Sequence, residues 1–231
     1  MRKYHFKYLC ILFFFLNSTF PSNYVPKPTN LLNLLYEEDN WEVFDSSSSN
    51  LVSTKKIPGK DLFAVMVEKE LNLPKDVVKD VIMDIKNYNR FLKSSGSMIS
   101  DEINRTSEYI DGYQFIPIRL PFFDDREYLF RIYPNGFKED DSLSIVHWHL
   151  LRDQGHSLMK KSSNATYLNN GAGLWVAKNV AKDRTSFSYR IYIDPGGSLP
   201  NFLIDLINKT SVVNIFKDAI AEAQKRHRQK N

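Results

Sequence analysis

Asp194-Pro195-Gly196-Gly197-Ser198-Leu199-Pro200 stands between two segments of different period, and its reading decides the fold. Upstream, Thr185 to Ile193 alternates as a strand does. Downstream, Leu199 to about Arg226 carries Leu199, Phe202, Leu203, Leu206, Ile207, Val213, Phe216 and Ile220 as one apolar helical stripe. The heptapeptide must therefore end a strand and begin a helix within a few residues. Pro195 fixes φ, Gly196 and Gly197 permit positive φ, and Ser198 offers an oxygen to the first amides of a helix. A glycine pair ahead of a helix also suits phosphate, but no Lys or Ser/Thr follows in the Walker arrangement, so a structural corner is expected.

Working toward the N-terminus, Gly173 to Val180, Ser142 to Arg152, Arg126 to Tyr133, Glu108 to Ile118 and Met98 to Asn104 also read as strands. Asn169-Asn170-Gly171, Pro134-Asn135-Gly136 and Asp111-Gly112 supply turn chemistry. Six consecutive strands with no helix between them predict an antiparallel meander, because parallel neighbours need long crossovers. Before them, Leu73-Pro74-Lys75-Asp76 opens a helix whose Val77, Val78, Val81, Ile82 and Ile85 share one face. Strands are expected at Trp41 to Phe44, Leu51 to Ile57 and Leu62 to Glu68, after a short helix through Leu31, Leu32, Leu34 and Leu35 capped by Thr29-Asn30. The sum is an α+β domain in which a curved antiparallel sheet wraps a long C-terminal helix, a shape that encloses an apolar pocket.

The chain of 231 residues carries 31 Lys and Arg against 27 Asp and Glu, a formal net charge of +4. Arg2, Lys3 and Lys7 precede the apolar run Tyr8 to Leu16, the pattern of a secretory signal peptide over residues 1–22, followed by a linker at 23–30 and one domain at 31–228. The run is shorter than the roughly 20 residues of a membrane span. Without the leader, 28 basic residues face 27 acidic ones, which disfavours a nucleic-acid partner. The single cysteine, Cys10, lies in the leader, so neither a disulfide nor a thiol nucleophile is expected in the mature chain. Export is the expectation, to the periplasm if the host is Gram-negative and to the medium otherwise.

Trp41-Glu42-Val43, the run Leu120-Pro121-Phe122-Phe123-Asp124-Asp125-Arg126-Glu127-Tyr128, Gly171-Ala172-Gly173-Leu174-Trp175 and the corner at Asp194 to Pro200 together resemble a START (steroidogenic acute regulatory protein related lipid transfer) domain over Leu31 to Arg226. The resemblance implies a helix-grip fold and a non-enzymatic domain that holds one lipid between sheet and terminal helix, often carrying it between membranes. In several animal members a second Arg follows six residues after the one in the Asp-Arg pair and faces the cavity; here that position is Ile132, and Arg131 is one residue out of register. A shift of one residue turns a strand side chain to the opposite face. Head-group recognition through that charge is therefore not carried over.

The residues expected to line a pocket are Phe115, Tyr133, Trp148, His149, Trp175, Tyr189, Phe202, Leu203, Leu206, Ile207, Val213 and Phe216, with alternation requiring some to face outward. The expected partner is a lipid or other hydrophobic small molecule, with transient membrane contact, no cofactor and a monomeric state. His147 and His149 share a strand face and could reach one metal, but a third ligand is offered only by His156, Asp153 or Glu108 without a recognisable spacing, so no metal site is expected. Asp125-Arg126 reads as an ion pair pinning a loop, since Arg does not act as an acid or base at ordinary pH. No Gly-x-Ser-x-Gly elbow occurs. The alternative is an enzyme, a cyclase or hydrolase on the same scaffold, using His149, Asp153 or Glu108; a pure interaction module is a third possibility. Lys225, Arg226, Arg228 and Lys230 gather positive charge at the C-terminal end, where anionic membrane would be met first.

Overall fold

The computed structural model of the chain describes residues 30–46, 50–94, 98–118, 123–136, 141–152, 165–182, 184–196 and 201–230, with 201–210 described by backbone alone. The expected leader and most of the linker lie outside the described residues, as do Gly197 to Pro200. Among the described residues ten strands form one sheet: β1 Glu42–Asp45, β2 Leu51–Lys56, β3 Phe63–Leu71, β4 Ile99–Arg105, β5 Ile110–Ile116, β6 Arg126–Tyr133, β7 Leu143–Leu150, β8 Thr166–Tyr167, β9 Gly171–Ala181 and β10 Arg184–Ile193. The α-helices described are α1 Asn30–Tyr36, α2 Lys75–Ile82, α3 Tyr88–Phe91 and α4 Asn201–Lys230.

The order across the sheet is β1-β2-β3-β10-β9-β7-β6-β5-β4. Two antiparallel meanders are thus joined where β3 pairs with β10, Val67 opposite Tyr189. The expected six-strand meander is present as β4, β5, β6, β7, β9 and β10. What hydrophobic period did not reveal is the two-residue β8, which pairs in parallel with the start of β6. Asp111-Gly112 also proves to lie inside β5 rather than in a turn. A Cβ at Gly112 would stand 2.4 Å from the Phe130 ring, so glycine serves close packing across the ladder there.

One face of the sheet packs on α2, α3 and α4. Val67, Phe130, Trp148, Trp175, Phe187 and Tyr189 meet Val78, Val81, Ile82, Phe216 and Ile220 in the main core. Helix α2 ends at Ile82, short of the expected Ile85, which stays fully buried in a 3₁₀ turn over Ile85–Asn87. Asp84 organises that break, accepting two bonds from the Asn87 side-chain amide at 2.8 and 3.0 Å and one from Arg226 of α4 at 2.8 Å.

The opposite, outer face is covered in part by α1, whose Leu32 and Leu35 sit on Ile145, Ala172, Leu174 and Tyr192. A helix leaves its last carbonyls without intrahelical partners. Two buried cations of the sheet meet those of α1: Lys55 donates to Leu34 O at 2.9 Å and Arg190 to Leu35 O at 3.0 Å. Each also reaches a carboxylate, Glu37 at 3.1 Å and Glu38 at 2.8 Å, and Trp41 lies beside both. Seven residues form a stable helix here because the sheet caps it, not because of intrinsic propensity.

Of the strand-to-helix corner, Asp194 to Gly196 are described and form a turn. Gly196 has φ +61° and donates its N–H to Asp194 Oδ1 at 3.0 Å. Arg126 secures the corner from β6, donating to Pro195 O at 2.6 Å, to Gly196 O at 3.3 Å and to the carbonyl of Asp124. The expected Asp125-Arg126 ion pair is therefore replaced by separate backbone contacts, because neighbours on a strand point apart: Asp125 accepts the Ile118 N–H at 2.9 Å while Arg126 reaches the corner.

Candidate functional site

Between sheet and helices lies an apolar cavity of about 140 Å³. The strands contribute alternate residues to it: Phe63 and Val65 from β3, Gln114 and Ile116 from β5, Tyr128, Phe130 and Ile132 from β6, and Tyr189, Ile191 and Ile193 from β10. Trp148 of β7 and Trp175 of β9 complete the wall, while Ile82, Tyr88, Phe91, Leu92, Met98, Ser211, Val212 and Ile215 close the helical side. No acidic or basic side chain lines it among the described residues.

Its few polar groups are tied to one another. The Tyr128 hydroxyl donates to Gln114 Oε1, and Gln114 Nε2 donates to Ser100 Oγ at 3.1 Å. The Tyr88 hydroxyl donates to Ile82 O. Burial pushes the Tyr88, Tyr128 and Tyr189 hydroxyls above their ordinary pKa, so they remain neutral at any working pH.

Of the residues named from sequence, Trp148, Trp175 and Tyr189 line this cavity. Phe115, Tyr133 and His149 do not: each follows directly on a cavity-facing residue (Gln114, Ile132 and Trp148), so each points to the outer face. Phe115 packs there with Tyr113 and Leu129, and Tyr133 stacks on His149 at 5.9 Å between ring centres. Phe216 lies against Trp175, rings 5.8 Å apart and nearly parallel, and Val213 packs half-buried on the same core without reaching the cavity. The side chains of Phe202, Leu203, Leu206 and Ile207 lie outside the described residues. Sequence reasoning missed the wall from β3 and β6 and the cover from α3; the alternation at Tyr128, Phe130 and Ile132 was the signal that could have found part of it.

The register argument at Arg131 holds. Ile132 faces the cavity, whereas Arg131 turns outward into a two-point pair with Asp111 at 2.7 and 2.9 Å, its guanidinium 3.6 Å above the Tyr109 ring.

His147 and His149 share the outer face, as their spacing requires, but they are not both exposed. His147 is 2% accessible, stacked on Tyr133 at 4.9 Å and within 3.2 Å of the Tyr36 hydroxyl of α1. Burial lowers its pKa to about 4, with His149 adding to the effect. Among the described residues no cluster of His, Cys, Asp or Glu could hold a metal ion. Because the folded pKa lies below the unfolded value near 6.5, the fold favours the neutral ring. Its contribution is complete above about pH 6.5 and is lost as pH falls through about 4. At about 1.4 kcal/mol per unit this is about 3 kcal/mol, so denaturant midpoints should fall over that window, and H147F should flatten that part of the profile.

Of the residues weighed for catalysis, His149 stands on the outer face, Glu108 is exposed in the turn after β4, and Asp153 lies outside the described residues. At the C-terminal end, Lys225, Arg226 and Lys230 are engaged with Glu222, Asp84 and Asp80. Exposed pairs of this kind contribute little to stability, but they reduce the charge on offer to a membrane.

No family model matches the chain, and no curated protein matches it in sequence. Solved structures do. A STAR-related lipid transfer protein fragment from Xanthomonas axonopodis is 18% identical, with a TM-score of 0.66 over 80% of this chain and 99% of that one. Human StAR-related lipid transfer protein 5 is 12% identical, with a TM-score of 0.65 over 85% of this chain and 92% of that one. The Zhui aromatase/cyclase of Streptomyces sp. R1128 is 12% identical, with a TM-score of 0.51 over 71% and 94%. The fold is therefore the START helix-grip fold, an α+β architecture on which both lipid transfer proteins and a cyclase are built.

Proposed function

We propose that the chain binds a single lipid or other hydrophobic molecule in the cavity between sheet and α4, without catalysis, and carries it between membranes. The observation that supports this most is a cavity walled by six strands and three helices whose lining is apolar and uncharged among the described residues. Burial there contributes about 25 cal/mol per Å² of apolar surface, so a hydrocarbon needs no ion pair to be held. The lipid transfer proteins that share the fold point the same way. An enzyme would need a reactive group at the cavity; of its named candidates, His149 and Glu108 stand away from it. Export by the N-terminal leader completes the proposal, placing the carrier outside the cytoplasm and in the periplasm of a Gram-negative host.

At about 140 Å³ the cavity is smaller than the roughly 300–1,000 Å³ typical of ligand pockets, so loading requires the cover to move. The segment after α3 is tied to α4 near the rim: Asp218 accepts from Ser94 N at 2.7 Å and Ser94 Oγ at 2.9 Å, and Asn214 donates to Ser94 O at 3.2 Å. D218A removes two exposed bonds and should cost about 1 kcal/mol or less, while raising the rate of lipid transfer between vesicles severalfold. An unchanged rate would place the moving part elsewhere.

Native mass spectrometry of protein purified from its own host, followed by lipid extraction, tests the function itself. A bound hydrophobic molecule in one-to-one ratio is expected. Protein that arrives empty and takes up nothing from liposomes would overturn the proposal.

A further inference from the structure

We infer that the cavity selects a neutral ligand carrying a hydroxyl or carbonyl oxygen, which Gln114 receives as a hydrogen-bond donor; this rests on the reading of the cavity as a ligand site. Gln114 is 8% exposed and is the one amide side chain among the described lining residues, which are otherwise apolar and aromatic, Ser211 apart. Such a group is costly to bury without partners. A primary amide offers two N–H donors and a carbonyl with two lone pairs. Tyr128 occupies one lone pair and Ser100 Oγ takes one N–H, which leaves a second N–H for the cavity.

The amide is held in place from behind. Ser100 is 1% exposed, and its backbone is clamped by Asn89 of α3, which donates to Ser100 O and accepts from Ser100 N, both at 2.8 Å. The donor is thus set by a chain of bonds from α3 through β4 to β5, not by a mobile side chain. The Tyr88 proton goes to Ile82 O, so that hydroxyl is not a second donor to the ligand oxygen.

Charge decides the remainder. A carboxylate or phosphate brought to Gln114 would meet no cation among the described lining residues, and an unpaired buried ion costs several kcal/mol. A hydroxyl or ketone oxygen loses far less hydration and recovers a bond to the waiting N–H. The ligand class is therefore a neutral lipid such as a long-chain alcohol, a ketone or a sterol-like molecule, its oxygen inside, rather than a fatty acid or phospholipid with its head group inside.

The test uses delipidated protein loaded with a neutral fluorescent hydrophobic probe, displaced at pH 8 by dodecanol, dodecanone, dodecanoate or dodecane. Dodecanol and dodecanone should act at concentrations about tenfold lower than dodecane or dodecanoate, the factor expected of one net hydrogen bond. Q114M should bring the alcohol and ketone to the level of dodecane measured on the same variant, so that the ratio between them, not the absolute affinity, is what is read. Dodecanoate acting as well as dodecanol, or Q114M retaining the preference, overturns the inference while the cavity remains a binding site. If the protein takes up no probe, or if none of the four compounds displaces it, the cavity reading fails, and this one with it. The wild-type series decides the matter even where the variant is unstable.

Discussion

W175A should lower the stability of the domain by about 3–5 kcal/mol, among the largest losses a single core truncation produces. Trp175 is 6% exposed and stacks on two rings, Tyr189 at 4.2 Å and Phe216 at 5.8 Å, both nearly parallel to it. Tyr189 belongs to the neighbouring strand and Phe216 to α4, so the indole joins sheet to helix as well as filling space. Parallel aromatic pairs add about 0.5–1.5 kcal/mol each beyond the area they bury. The midpoint of thermal unfolding should fall by about 10 °C for a domain of this size. W175F keeps part of the stack and should recover about half of the loss. A shift below about 3 °C for W175A would show that α4 does not depend on this contact.

The same residue shows how far the fold could be read in advance. Trp175, Trp148 and Tyr189 were assignable because each lies in a long alternating run whose inward parity is set by large apolar neighbours. Phe115, Tyr133 and His149 are among those that alternation turns outward, each one residue out of parity with the inward Gln114, Ile132 and Trp148. Phe115 has found a core on the outer face with Tyr113, Leu129 and the partly buried Tyr167, while Tyr133 is half-buried and stacks on His147 and His149. A two-sided sheet hides its inner face from any argument based on hydrophobicity alone.

Non-local pairing was equally invisible. The β3–β10 junction closes the sheet between residues more than a hundred apart, and nothing in either strand names its partner. Lys55 and Arg190 look like surface cations in sequence, yet both are 3% exposed, because the carbonyls at the end of α1 needed donors. Gln114 is the sharpest case. A polar residue between Tyr113 and Phe115 reads as an outward position, and only the Tyr128–Gln114–Ser100 chain makes an inward amide tolerable.

R126A should cost about as much as W175A by a different route. The guanidinium is buried at 4% exposure and serves four carbonyls on two loops: Pro195 and Gly196 at the corner leading to α4, and Asp124 and Asp125 at the end of the connection from β5. Burial lowers its pKa while Asp124 and Asp125 act against that, and Arg remains charged throughout. Truncation leaves those carbonyls without their donor, at about 1–3 kcal/mol for each that water does not reach. The expected sum is about 3–5 kcal/mol, read as a lower urea midpoint with an unchanged slope. R126K should recover little, since an ammonium lacks the planar fork that spans both loops. The damage should also be local before it is global: amide exchange at Ile193, Asp194 and Gly196 should accelerate in R126K under conditions where β6 and β7 stay protected. Since the corner sets where α4 begins, a variant that stays folded should also release a bound hydrophobic probe faster. If R126K exchanges and releases like the parent, the corner is held by its own Asp194–Gly196 turn, and Arg126 only fills space beneath it.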